Sequence, residues 1–339
     1  MNIGFVYDLR DEYLALGHSE LEVAEFDSPS TIAEIEAALI RLGHGVDRVG
    51  RGQALAQRLA AGERWDLVFS IAEGLAGRSR EAQVPALCEL FGQLYAFSDP
   101  LTMATTLDKG VAKRIVRDHG LPTAAFAVLH SVADAARLDL PFPLFVKPIA
   151  EGTGKGCEAT SRVADLGELA AAAGELIARF KQPVICETFL PGRELTVGIL
   201  GTGESARVIG VMEIAVKAGI KDQIYSFENK ERCEERVIYE LAHDAEASRA
   251  GEIGLQCYRA LDCRDAGRVD LKLDSAGAAQ FLELNPIAGL HPTHSDLPMI
   301  AAQSGLGYDG LIGGIIDAAA ERLGIGGARP GQGRLAEAA

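Results

Sequence analysis

The sequence predicts an α/β protein whose chain opens on a mainly parallel sheet. Three observations carry this. Short apolar runs at residues 3–7, 46–49 and 65–70 alternate with helical stretches, and parallel strands need such crossovers. Later strands come in neighbouring pairs across glycine-containing turns, as hairpins do. The 339 residues are 48% apolar and 24% charged, the composition of a folded chain with room for two or three subdomains.

Taken in order, residues 3–7 are long enough for a buried strand. Ser30 is placed to cap the next helix, which carries Ile32, Ile35, Leu39 and Leu42 on one face and ends near Gly43 or Gly45. A strand at 46–49, a helix at 53–61 and a strand at 65–70 complete the opening unit. Residues 81–91 read as helix, Tyr95-Ala96-Phe97 is apolar, and Ser98-Asp99-Pro100 punctuates the chain, placing a domain boundary near residue 99. One helix spans 105–118 and stops at His119-Gly120. Strands at 126–129 and 143–148, an alanine-rich helix at 165–180 and a strand at 183–187 follow. Residues 194–211 read as strand, turn at Gly201-Thr202-Gly203, strand. Residues 217–232 are polar and irregular, with a functional lid and plain disorder as competing readings. A helix at 240–260, paired strands at 269–273 and 279–285, a last helix at 311–323 and a frayed tail complete the chain.

Lys plus Arg number 33 against 48 Asp plus Glu, a formal charge of −15, which disfavours a nucleic-acid partner. The first residues lack the basic-then-apolar pattern of a signal peptide, and no apolar run reaches about 18 residues, so no membrane association is expected. Six cysteines, at 88, 157, 186, 233, 257 and 263, form no CxxC pair and fit reduced thiols. The expected compartment is the cytoplasm.

Three sets of residues could carry chemistry. Glu151-Gly152-Thr153-Gly154-Lys155-Gly156 follows a strand ending at Lys147-Pro148, and alternating glycines let backbone N–H groups approach an anion. The run is neither a P-loop nor a dinucleotide fingerprint, and a surface hairpin loop competes with a phosphate cover. Asp270 lies on one predicted strand, with Glu283 and Asn285 two apart on the next, so one face gathers the hard oxygen ligands that Mg²⁺ takes alongside phosphate. Arg268 falls on the same side. Lys147 ends an apolar strand just ahead of the glycine loop and Lys109 opens a helix, with solvated charges as the plain reading of both, and Glu187 and Glu194 are either edge-strand charges or nucleotide contacts. His291 and His294, without a third strong ligand, do not make a zinc site.

Together these segments resemble the ATP-grasp ligases, and among them the D-alanine–D-alanine ligase family. The match runs from the first strand to about residue 323 and is carried by Leu107-Asp108-Lys109 with Lys113, Phe145-Val146-Lys147-Pro148 with the glycine loop, Glu187 with Gly192-Arg193-Glu194, Arg268-Val269-Asp270, and Glu283-Leu284-Asn285. The resemblance implies an N-terminal α/β domain (1–98), a central ATP-grasp subdomain (99–186), a C-terminal ATP-grasp subdomain (187–324) and a tail (325–339). It also implies that Lys109 and Lys147 contact the α and β phosphates of ATP, that Glu151, Thr153, Gly154 and Lys155 cover the β and γ phosphates, and that Glu187 and Leu190 mark the adenine hinge. Glu194 would hold the ribose. Asp270, Glu283 and Asn285 would bind two Mg²⁺ ions, with Mn²⁺ as a substitute. Arg268 and the Gly289 N–H would stabilise charge at the reacting centre, and Lys230 matches the family's mobile-loop lysine. Small amino acids as substrates, peptide-bond formation in cell-wall biogenesis and a homodimer are implied as well.

The chemistry explains the equipment. A carboxylate resists attack by an amine until phosphorylation gives it a good leaving group, and metal ions and cationic side chains offset the charge that builds on the transferring phosphoryl. The sequence departs from the family where substrate identity is decided. The first strand runs into Asp8-Leu9-Arg10-Asp11-Glu12, so Glu12 or Asp8 stands in for the family's N-terminal glutamate. An acidic segment becomes Glu73-Gly74 through Gly77-Arg78-Ser79-Arg80, and Arg78 and Arg80 suggest an anionic substrate group. Ala288-Gly289-Leu290-His291 replaces the segment near the second carboxylate, leaving Ser295 and His294 as alternatives for one role. The expected activity is that of an ATP-dependent carboxylate–amine ligase working through an acyl phosphate. A ligase for a different pair of substrates, or a non-catalytic ATP-binding regulator, is the alternative.

Overall fold

The computed structural model describes residues 1–220, 229 and 232–325. The first sheet holds β1 (Asn2–Val6), β2 (Gly45–Gly50) and β3 (Leu67–Ser70) in the order β2-β1-β3, with both pairs parallel as the alternation of runs predicts. Helices Pro29–Arg41 and Gly52–Ala60 make the crossovers. The cap of the first is Ser28, not Ser30: Pro29 takes the opening helical position, where its missing N–H costs nothing, and the Ser28 side chain accepts from the Thr31 N–H. A short helix, Arg10–Ala15, which the sequence reading lacks, follows β1. Ile3, Phe5, Ile32, Ile35 and Leu39 pack together, and Leu311, Ile312, Ile315 and Ile316 from the last helix, Tyr308–Leu323, join the same core.

The second sheet holds β4 (Phe126–Leu129), β5 (Leu144–Pro148), β6 (Arg162–Val163) and β7 (Val184–Thr188) in the order β4-β7-β5-β6, all antiparallel. Helix Leu166–Phe180 covers it through Leu169, Ala173 and Leu176. The third holds β8 (Glu194–Leu200), β9 (Arg207–Val216), β10 (Val237–Leu241), β11 (Ala266–Leu273) and β12 (Ala279–Asn285) in the order β10-β9-β8-β11-β12, also antiparallel. Helix Ala245–Ala260 lies so close that a Cβ at Gly254 would come within 3.0 Å of Val197.

Two helices differ from expectation. Residues 105–118 are not continuous: helices Pro100–Leu107 and Lys109–Asp118 meet at Asp108, whose extended backbone (φ −84°, ψ 97°) lets its carboxylate accept the Val111 N–H at 3.0 Å. Aspartate competes with helix continuation in this way. Residues 240–260 are also split, because β10 pairs with β9 and Asp244 caps the helix only from Ala245. Asp265 ties the first and third sheets together, taking the Phe97 N–H (2.8 Å), Arg322 Nη2 (2.7 Å) and Thr202 Oγ1 (3.1 Å) while fully buried. Among the described residues no helix is long and apolar enough to cross a membrane.

Candidate active site

A cleft of about 980 Å³ is lined from the second and third sheets. Helix Lys109–Asp118 brings Lys109 to its wall and buries Lys113 one turn further on. Lys109 Nζ donates to the Glu151 carbonyl (2.6 Å) and lies 3.1 Å from Glu283 Oε2. Lys113, fully buried, reaches Glu187 Oε2 (2.8 Å), Thr123 Oγ1 (2.8 Å) and the Phe281 carbonyl (2.8 Å). Lys147, opposite Ile185 on β7, sits 3.0 Å from Glu187 Oε1. Burial works to raise the Glu187 carboxyl, but Lys113 and Lys147 outweigh it and hold it at about 2. Glu283 is likewise held well below the carboxylate range against its burial, by Lys109, Lys147 and Arg268. At the far end, Glu194 pairs with Lys272 at 2.8 Å, and Leu190 lines the wall beside Glu187.

The sheet register builds the acidic face. Asp270 on β11 stands directly opposite Glu283 on β12 and Thr196 on β8, and Arg268 stands opposite Asn285. Thr196 Oγ1 donates to Asp270 Oδ1 (2.8 Å), while Arg268 Nη2 (2.9 Å) and Asn285 Nδ2 (3.2 Å) donate to Oδ2. Arg268 Nη1 also pairs with buried Asp296. No group of three His, Cys, Asp or Glu is placed to hold a metal among the described residues. Asp270 and Glu283 are instead two carboxylates facing each other across the strand pair with an amide beside them, an oxygen donor set that suits Mg²⁺ rather than a softer metal.

The glycine loop lies closed against the segment that carries Glu25. Glu25 accepts the Gly152 N–H and is 3.2 Å from Lys155 Nζ, which also pairs with Glu151. Thr153, Gly154 and Gly156 have positive φ (50°, 74° and 74°), which turns the loop back on itself. Arg80 completes the clamp, donating to Glu25 Oε2 (3.0 Å) and to the Ala150 carbonyl (2.8 Å). Arg80 is therefore committed to a buried carboxylate, not free for a substrate anion, and Arg78, 79% exposed, pairs with Asp108. Around Arg80 lie acids that the sequence reading missed. Burial, reinforced by Asp8, lifts Asp27 to about 7. Burial lifts Glu73 and Glu81 as well, with mutual repulsion raising Glu73 further.

Other expected residues stand apart. Glu12 is exposed on its short helix, while Asp8 is used internally, accepting from Tyr13 Oη (2.7 Å) and the Gly74 N–H (2.9 Å). Thr153 and Gly289 do not line the cleft. Ser295 Oγ would meet a Cβ at Gly289 at 2.7 Å and accepts the His291 N–H at 3.0 Å, so it fastens the 289–295 turn. His294 stacks on His291 (ring centroids 4.6 Å apart). Lys230 lies outside the described residues. Lys113 entered the sequence reading only as part of the family match, with no role, although its place one turn after Lys109 was a signal. Glu25 had none, because it belongs to an aperiodic segment.

The geometry has counterparts. The family model for the D-ala D-ala ligase C-terminus matches residues 115–317. A D-alanine–D-alanine ligase of Bordetella petrii is 34% identical over 291 residues, covering 84% of this chain and 85% of that protein. This chain belongs to the D-alanine–D-alanine ligase family. The fold agrees: the Bacillus anthracis D-alanine–D-alanine ligase complexed with ATP superposes with TM-score 0.71 at 22% identity, over 95% of this chain and 98% of that one. The VanG D-Ala:D-Ser ligase of Enterococcus faecalis superposes with TM-score 0.69 at 20% identity, over 94% and 99% of the two chains. The family fold is the ATP-grasp architecture, an N-terminal parallel sheet followed by two α+β units, and the family's members are ATP-dependent ligases.

Proposed function

We propose that this chain joins the carboxylate of one small amino acid to the amine of another, with ATP as the phosphoryl donor and two Mg²⁺ ions on Asp270, Glu283 and Asn285. The observation that carries the reading is the pairing of Asp270 with Glu283 across β11 and β12, beside Lys109, Lys147 and Arg268. Bound Mg²⁺ would supply charge neutralisation for the phosphoryl oxygens.

The chain's own residues do the remaining work. Lys109 and Lys147 bind the phosphates, and the loop from Glu151 to Lys155 covers them and excludes water. The donor carboxylate oxygen attacks the terminal phosphorus and ADP leaves, giving an acyl phosphate. The amine then attacks the acyl carbon, Arg268 offsets the charge of the oxyanion, phosphate departs and the amine's proton passes to solvent. Glu187, held by Lys113 and Lys147, and Leu190 line the adenine end, with Glu194 at the ribose.

Two D-alanines are the nearest pair by family. The committed arginines and the extra acids beside Glu25 favour a second reading, a different substrate pair. We place the enzyme in the cytoplasm and assign it a homodimer, both by family analogy. The test is ADP release from MgATP against single and paired D- and L-amino acids, with product masses read in the same wells. A product one water lighter than its two precursors identifies the pair. ATP hydrolysis that no amino acid stimulates would sink the reading.

A further inference from the structure

Residues 152–155 form one tight turn, closed by the Lys155 N–H on the Gly152 carbonyl at 3.0 Å. A single carboxylate from far earlier in the chain spans both ends of that turn. Glu25 accepts the Gly152 N–H on Oε1, and its Oε2 lies 3.2 Å from Lys155 Nζ. The seat is close: a Cβ at Gly152 would meet Glu25 Oε1 at 2.6 Å. The tip of the turn is left open. The N–H groups of Thr153 and Gly154 donate to no described residue, and Gly154 lines the cleft.

Glu25 is itself held in place. Its neighbours Val23 and Phe26 are buried with Tyr13, whose ring centroid lies 4.6 Å from that of Phe26. Arg80 reaches Glu25 Oε2 at 3.0 Å and the Ala150 carbonyl at 2.8 Å, which ties the segment to the chain just ahead of the turn. Burial works to raise the Glu25 carboxyl, but Arg80, Lys155 and the Gly152 N–H outweigh it and hold it below the usual range. From the other direction, Glu151 takes Lys109 Nζ on its carbonyl (2.6 Å) and Gln182 Nε2 on its side chain (2.7 Å). We propose that Glu25 is a positioning residue that holds the glycine loop shut over the acyl phosphate, so that the amine and not water takes the intermediate. This inference rests on the ligase reading.

An acyl phosphate has two fates. Amine attack on the acyl carbon breaks its C–O bond to phosphate and leaves the peptide. Water attacking the same carbon breaks the same bond and returns the donor carboxylate, phosphate and a proton, so ATP is consumed without product. Which fate wins depends on whether the closed site keeps bulk water from that carbon. Opening the turn would break two charge-assisted contacts to one buried carboxylate, and such contacts are about twice as strong as neutral ones. Lys155, held between Glu25 and Glu151, lends its charge to this tether.

The test uses the full chain with MgATP and the substrate pair identified by product mass, with ADP and peptide read in the same reaction. The wild type should release one ADP per peptide. Glu25→Gln removes the charge and should raise that ratio about 3-fold or more. Gly152→Ala reaches the same contact from the loop side. Gly152 has no positive φ, so alanine fits its backbone, and the new Cβ displaces the flexible end of Glu25 while every charge stays in place. It should raise the ratio in the same direction, and it decides the question where Glu25→Gln does not fold. A merely structural role would lower ADP and peptide together and leave the ratio at one. A ratio of one in the folded variants therefore overturns the inference. A wild type whose ADP release no amino acid stimulates removes the ligase reading itself, and that outcome is read before either variant is made.

Discussion

Along the side of the cleft proposed for the nucleotide, four lysines have their carboxylates: Lys109 has Glu283, Lys113 and Lys147 share Glu187, and Lys272 has Glu194. At the end facing the N-terminal loops, Arg80 and Lys155 are both spent on Glu25, and Asp27, Glu73 and Glu81 remain with raised affinity for protons. Both ends are buried and rich in acids, yet burial has opposite outcomes. Where cations are close, Glu187 and Glu283 stay ionised well below the usual carboxylate range. Where the cations are used up, burial prevails and the acids hold protons. The end proposed for the nucleotide has its charges paired, and the end beside the N-terminal loops does not.

The sharpest way to break this comparison is to unbalance the balanced end. Glu187→Gln leaves Lys113 and Lys147 facing each other without a counter-ion, and stability should fall by about 3–5 kcal/mol in denaturant titration. Asp270→Asn should spare the fold and lower amino-acid-dependent ADP release by about 10²- to 10³-fold. If the two variants lose stability equally, Asp270 serves the sheet rather than the reaction.

Titration of stability separates the two ends without disturbing either. Glu187, at about 2 when folded against about 4 unfolded, binds its proton less readily in the native state, so its contribution is present above pH of about 4 and fades as pH falls towards 2. Asp27, at about 7, binds its proton more readily in the native state, so its contribution is present below pH of about 4 and is lost as pH rises towards 7. Melting temperature in Asp27→Asn should therefore decline less than the wild type between those limits, with the acid limb unchanged. The smallest effect belongs to Arg78→Ala. Its guanidinium is 79% exposed, so the change should cost below about 1 kcal/mol and leave the KM of both amino acids unmoved. A raised KM would return Arg78 to the substrate site.

Much of the Asp270–Glu283 end was legible because its residues sit on strands, where alternation and register follow from spacing. Asp270, Glu283 and Asn285 fall on one face by period two, and the ladder sets Asp270 against Glu283. The N-terminal end was not legible, since Glu25, Asp27 and Arg80 come from loops and a single turn of 3₁₀ helix, where no period says which way a side chain points. Charge type alone misled there: two arginines in a row of family acids suggested a ligand anion, and the structure supplies the anions from within the chain. Asp296 was hidden differently, because an acid at a helix start reads as a routine partner for the helix dipole. The split at Asp108 and the strand before Asp244 show local hydrogen bonding and sheet pairing prevailing over helical composition.

The core of the first sheet contains Leu311, Ile312, Ile315 and Ile316, residues made some 240 positions after β3 ends at Ser70. During synthesis, therefore, the N-terminal unit cannot complete its interior until almost the whole chain has left the ribosome. Its partly covered sheet must wait through the building of both other sheets, the stage at which a nascent chain most needs chaperone cover. A chain stopped before Gly307 would leave that gap permanently, so premature termination near the end should be nearly as damaging as termination in the middle. The last helix is in this sense a quality mark: the core of the first sheet becomes sound only once that helix has been made.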